Sequence, residues 1–387
     1  MTASPPDSRT ITVRSRAATA IALAALFACL AGAAPALAVP YAPGKGKAFH
    51  GVNDTGDNLD FQAFSQQVGA HPAVMQTFHT WGTFPSMAMM RWDATDTRGV
   101  ISVGTSKGYG EPEIISPAAI ANGEGDNYPL NLNLAIAQWD QPVYIRLMAE
   151  MNGHWNAYSA YNLNGTFRGP AHSPAEYRDA WRRFSLIVRG GPVAPINQQL
   201  QKLGMPPIQA EVPETLPEPK VALMWVPHSS PTPNIHANRW QVYWPGKEYV
   251  DWVGTDIFST APNWANLNRL YEGYKKMPFV VGEYAPLGED DASYVKTLFR
   301  WSKKHKRSKM NVYYQGFGND PTFNIANFPA ARAVLRGRLA GPRYLPFAEG
   351  TTGNGPGGIA PTPGYAAPSY AYGPRDQHVG GDVATGP

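Results

Sequence analysis

Short, nearly continuous apolar runs recur along the chain, and between them the apolar positions follow a helical spacing. The runs are AFHGV (48–52), AVMQTFHTW (73–81), VISVGTS (100–106), VYIRLMAE (143–150), VALMWVPH (221–228), VDWVGTDIF (250–258), PFVVGEY (278–284) and NVYYQGF (311–317). Runs with so little polar alternation predict strands covered on both faces, as in parallel sheets. Residues 173–188 predict a helix opened by Ser173 as N-cap, Pro174 in the first turn and Glu176 closing a capping box. Residues 264–277 and 290–307 also place apolar residues at helical spacing. Eight such alternations predict an α/β chain folded as a (β/α)8 barrel rather than a doubly wound sheet. The turn GVNDTGDN after the first strand carries no GxGxxG loop, which excludes a dinucleotide fold. A Pro-rich insertion, 191–219, interrupts the rhythm and reads as a surface excursion with one short helix around NQQLQKLG.

The two ends differ from this pattern. Arg14 and Arg16 precede AATAIALAALFACLAGAA, and Ala36-Leu37-Ala38 offers a small-residue cleavage site, so residues 1–38 are expected to be a secretory signal peptide. Cys29 is the single cysteine and lies inside that leader; Phe27 is too bulky for a lipid-attachment motif, so no anchor at Cys29 is expected. The exported chain would carry no disulfide, and the barrel would span 39–347. Residues 348–387 are dense in Gly, Pro and Ala and poor in aliphatics, which predicts a disordered tail.

Composition narrows the chemistry. A formal net charge of +4 on 387 residues gives no basic field for nucleic acid, and no membrane contact is expected after leader removal. The histidines show no HExxH spacing and no GxSxG elbow occurs, so neither a metal, a cofactor nor a serine nucleophile is expected. The protein is expected to be a monomer. Eleven tryptophans and 19 tyrosines exceed what a core needs, and rings with polar tips suit carbohydrate, whose CH faces stack while its hydroxyls seek partners.

In a (β/α)8 barrel the reactive groups sit at the C-terminal strand ends. Those ends carry Glu150 in RLMAEMNGHW, His228 after the fifth strand, Asp256 near the end of the sixth and Glu283 near the end of the seventh, with Tyr314 after the eighth. Any barrel has some acidic strand ends facing water. Here, though, Glu150 and Glu283 stand three strands apart across one mouth, among aromatic residues. Paired carboxylates so placed suit glycoside hydrolysis, one as proton donor and the other as nucleophile or water-positioning base. Trp81 and His228 are candidates for the substrate groove, whereas Trp225 reads as core.

The segments VYIRLMAEMNGHW, VDWVGTDIF and PFVVGEY resemble glycoside hydrolase family 26, over roughly residues 48–340. The resemblance implies a secreted, retaining (β/α)8 enzyme without cofactor, most often acting on β-1,4-mannan, with β-glucan, xylan or a bacterial exopolysaccharide as other substrates. It assigns Glu150 as acid/base and Glu283 as nucleophile, Arg146 and Asn152 as polar supports, and Trp155 as a sugar platform. Two positions depart from the family: Ala149 stands where a histidine is usual, and Phe258 where a tyrosine usually contacts the nucleophile. Tyr284 or Tyr314 would then be the replacement partner of Glu283, with Asp256 a further substrate or structural group. The departures leave open a barrel that binds glycan without cleaving it.

Overall fold

The computed structural model describes residues 40–351 apart from Tyr109, Ala261, Gly318 and Asn319. The expected leader, 1–38, lies outside the described residues, as do residues 352–387 of the expected tail. Its first residues still belong to the fold: Ala348 is buried and the Glu349 carbonyl accepts from Arg98.

Eight parallel strands follow one another around a ring: β1 (Ala48–Asn53), β2 (Val74–Thr80), β3 (Arg98–Gly104), β4 (Val143–Leu147), β5 (Val221–Trp225), β6 (Trp252–Asp256), β7 (Phe279–Tyr284) and β8 (Ser308–Tyr313). Pairing of β1 with β8 closes the barrel, so no long edge is left open. The helices are α1 (Asn58–Val68), α2 (Ser86–Thr95), α3 (Pro117–Ala121), α4 (Asn127–Trp139), α5 (Pro174–Arg189), α6 (Val193–Lys202), α7 (Trp264–Gly273), α8 (Ala292–Lys304) and α9 (Pro329–Leu339). At α5 the Ser173 side chain accepts from the Glu176 N–H at 3.2 Å, as the capping pattern requires. No helix among the described residues is long and apolar enough to cross a membrane.

Two expectations need correction. Between β5 and β6 the chain makes only short 3-10 turns, His236–Asn238 and Trp240–Tyr243, so the alternation is one helix short. Pro227, Pro231, Pro233 and Pro245 remove donors throughout that stretch. The 191–219 insertion is more than a surface excursion. It forms α6 and a two-residue hairpin, and its Ile196, Leu200, Met205, Ile208 and Leu216 make a small core with Leu130 of α4 and Ile187 of α5.

Strand parity decides what each side chain sees. Val74, Tyr144, Trp252, Val280, Met310 and Val312 share an inner cluster drawn mainly from strands, which fills the lumen. Their neighbours Met75, Ile145, Val253 and Val281 pack outward with helix residues such as Phe64, Trp181 and Leu298. One interruption of this parity matters. Along β7, Val281 pairs with Thr255, but the next pairing is Glu283 with Asp256; on the other side, Val281 pairs with Asn311 and Tyr284 with Tyr313. Both neighbours therefore register one extra residue in β7 after Val281, a β-bulge. Without it Glu283 would share the outward face of Val281; the bulge turns it into the lumen.

Candidate active site

At the end of β4 the backbone makes an unusual turn. Met148 (φ 40°) and Glu150 (φ 51°) both lie in the left-handed region, a conformation costing about 1–3 kcal/mol per non-glycine residue. Side chains pin the turn. Trp181 Nε1 donates to the Leu147 carbonyl at 3.2 Å, the Tyr177 hydroxyl to Met148 at 3.1 Å, and the Tyr158 hydroxyl to Ala149 at 2.6 Å. The Glu150 N–H donates to the carbonyl of Val226, the residue just past β5, at 2.7 Å, and Asn156 Nδ2 donates to the Glu150 carbonyl at 3.1 Å. Glu150 itself is half-buried, and its Oε2 accepts the indole N–H of Trp155 at 2.8 Å.

Trp155 can lie there because residue 153 is glycine. A Cβ at that position would stand 2.3 Å from the indole Cζ2. Beyond it, the His228 ring meets Trp155 edge-on at 5.6 Å between centroids. Asn152 is fully buried and joins the two loops: its Oδ1 accepts from the His228 N–H at 2.9 Å and its Nδ2 donates to the His228 carbonyl at 2.8 Å. Asn152 is thus a staple, with no surface left for a ligand.

The second carboxylate is held by charge. Arg146, on the inner face of β4, pairs through Nη1 with Glu283 Oε1 and through Nη2 with Asp256 Oδ2. Gln76 of β2 donates to the same Glu283 oxygen at 3.3 Å. Gly282 makes room for this array, since a Cβ there would lie 2.7 Å from Asp256 Oδ1. Glu150, Asp256 and Glu283 all act electrostatically on Arg146. Burial pushes the Glu283 carboxyl above its ordinary value; Arg146 pulls the other way, and the negative charge of Glu150 raises it further. Asp256, fully buried, is raised well above the ordinary carboxylate range by the same loss of solvent, again opposed by Arg146.

The structure brings together Arg146, Glu150, Trp155, His228, Asp256, Glu283 and Tyr314, but not every candidate. Trp81 is two residues beyond His79 on the outward parity of β2, and it packs in the helix shell against Tyr128 and Phe184. Tyr284 follows the bulge and points outward, where its hydroxyl bonds His50 Nε2 at 2.7 Å; it is no partner of Glu283. Arg146 and Asp256 are buried supports rather than ligand contacts. Trp225 is core, against Trp244 and Tyr274. Besides Arg146, Gln76 touches Glu283; it was not singled out by the sequence, although a lone glutamine within AVMQTF was a visible signal. Among the described residues no cluster of His, Cys, Asp and Glu could hold a metal ion.

No family model matches the chain. A β-1,3-xylanase from a Vibrio species is 23% identical over 171 residues, covering 43% of this chain and 28% of that protein. A β-1,3-xylanase from an Alcaligenes species is 21% identical over 207 residues, covering 51% of this chain and 35% of that protein. The match thus spans about a third of these relatives' length. Among solved structures, GH26A from a Muricauda species superposes with a TM-score of 0.50 at 13% identity, covering 78% of this chain and 92% of that one. Like that protein, the chain is a (β/α)8 barrel.

Proposed function

We propose that the protein is a retaining endo-glycosidase that hydrolyses a β-linked polysaccharide, with Glu283 as nucleophile and Glu150 as acid/base. The observation that carries the reading is that Glu283 is paired with Arg146 at the C-terminal mouth of the barrel while Glu150, on the turn after β4, lies within electrostatic reach of the same guanidinium. In the first step Glu283 attacks the anomeric carbon, the glycosidic C–O bond breaks, and Glu150 gives its proton to the departing oxygen. In the second, Glu150 takes a proton from water, the water oxygen bonds to the anomeric carbon, and Glu283 leaves as carboxylate. Arg146 and Gln76 hold one oxygen of Glu283 and leave the other for attack. The Trp155 indole fixes the orientation of Glu150.

The family 26 resemblance of RLMAEMNGHW favours β-1,4-mannan. The two relatives named as β-1,3-xylanases favour β-1,3-xylan as a second substrate. The leader-like sequence of residues 1–38 supports action outside the cell, which sequencing the N-terminus of protein recovered from culture medium would check. The test of activity is reducing-end release from mannan, glucomannan, β-1,3-xylan, β-1,4-xylan and mixed-linkage β-glucan by wild type, Glu150→Gln and Glu283→Gln. Cleavage of one polymer, lost in both variants, is the expected result. A polymer bound but not cut would mean a glycan-binding barrel.

A further inference from the structure

The inner parity that puts Gln76 against Glu283 continues outward along β2 to Phe78, one layer above the carboxylate. Phe78 is 40% exposed. An exposed phenylalanine at a strand end is ordinary alone; here it has company. Its ring meets Phe317, itself 50% exposed, edge-on at 5.6 Å, and Tyr314 edge-on at 6.1 Å, and Tyr314 meets Phe317 at 6.1 Å. Tyr314 rests in turn on Phe323 at 4.7 Å and on Phe258 at 6.1 Å. Buried Asn53 fixes the loop that carries Phe317, accepting from the Gln315 N–H and donating to the Gly316 carbonyl at 3.1 Å. The rings are therefore held in place from below while their outer faces meet solvent.

This ledge is continuous with the carboxylates. Tyr314 lies within electrostatic reach of both Glu283 and Glu150. The ledge occupies the β2 and β8 side of the mouth, whereas Trp155 and His228 stand above β4 and β5, on the far side of the acid pair. Phenylalanine has no polar tip, so an exposed cluster of such rings offers a ligand only apolar faces, which suit the CH face of a pyranose.

We infer that Phe78, Tyr314 and Phe317 form a sugar-stacking subsite, so that the polysaccharide is gripped on both sides of the bond to be cut. This rests on the glycosidase reading and deepens it: a chain held on both sides is cut internally. The occupant is a glycosyl unit of the same polymer, since the ledge opens onto the reacting groups rather than onto the outer wall of the barrel.

The test compares wild type with Phe78→Ala/Phe317→Ala and with Phe78→Trp, on the cleaved polymer and in affinity electrophoresis through gels containing it. Each ring removed should raise KM roughly tenfold, about 100-fold for the double variant, with kcat little changed. Phe78→Trp should keep tight binding, and unchanged melting temperatures would show that the solvent-facing rings do not hold the fold. A double variant that cuts the polymer with wild-type KM overturns the ledge and leaves the glycosidase reading intact. A wild type that neither cuts nor binds any polymer of the panel overturns both. A wild-type dimer that the double variant converts to monomer in sedimentation would assign the ledge to a second copy of the chain and overturn the sugar assignment.

Discussion

The two candidate carboxylates are held by opposite means. Glu150 sits on a loop in a strained left-handed turn whose carbonyls are held by neighbouring side chains. Its carboxylate takes the Trp155 indole N–H, meets the Asp256 side chain and forms no direct ion pair with Arg146. Glu283 sits on a strand, turned inward by a bulge and bound to a buried guanidinium. A group that must gain and lose a proton is served by partial exposure and by contacts short of a direct ion pair, because a cation bound to it would lock one protonation state. A group that must stay ionised against burial needs the arginine. Support and role thus differ together.

The largest effects should separate the two sides. Glu283→Gln should lose activity on every substrate, on the order of 10,000-fold or more. Glu150→Ala should lose about 100- to 10,000-fold on polymer but far less on an aryl glycoside with a dinitrophenolate leaving group, which departs without a proton. Equal losses of both variants on both substrates would dissolve the distinction.

Arg146→Met comes next. It leaves Asp256 and Glu283 buried without their counter-charge, so it should destabilise the fold by about 3–5 kcal/mol in urea titration as well as cutting kcat/KM. Smaller still are the two neutral donors. Gln76→Leu should reduce kcat/KM about tenfold and move its acid limb to higher pH, since a lost donor no longer favours ionised Glu283. Trp155→Phe should reduce turnover of polymer by a similar factor yet leave that limb in place, because the indole touches the other carboxylate. Parallel shifts in both variants would mean the groups act as one network.

How much of this was legible follows from parity. The barrel and the positions of Glu150, Asp256 and Glu283 at its mouth were readable, because buried parallel strands advertise themselves as apolar runs and Glu150 stands beside an Asn-Gly-His-Trp turn. The missing helix after β5 was legible in its prolines but obscured by the expectation of eight repeats. Trp81 was misread for want of a parity count from Val74, which puts it outside. Tyr284 could not have been placed that way at all. The bulge at Gly282 reverses its face and that of Glu283, and a bulge depends on register with two neighbouring strands that are distant in sequence. Nor does the Asn-Gly pair announce that the glycine at 153 leaves room for the Trp155 ring.

The smallest expected effect is also the sharpest check on how Glu283 is held. Its carboxyl is raised in the folded protein, burial outweighing Arg146. A raised carboxyl stabilises the fold fully only below its unfolded value of about 4.3, and that contribution is lost as pH rises through the higher folded value. Glu283→Gln keeps an acceptor for Arg146 and carries no proton to lose. Its melting temperature should therefore match wild type near pH 4 and exceed it by about 2 °C at neutral pH, while activity is gone. A variant less stable than wild type at neutral pH would mean that the pairing with Arg146 outweighs burial. The strand side of the mouth would then be held together by its charges, and the inward turn of β7 would depend on the arginine as much as on the bulge.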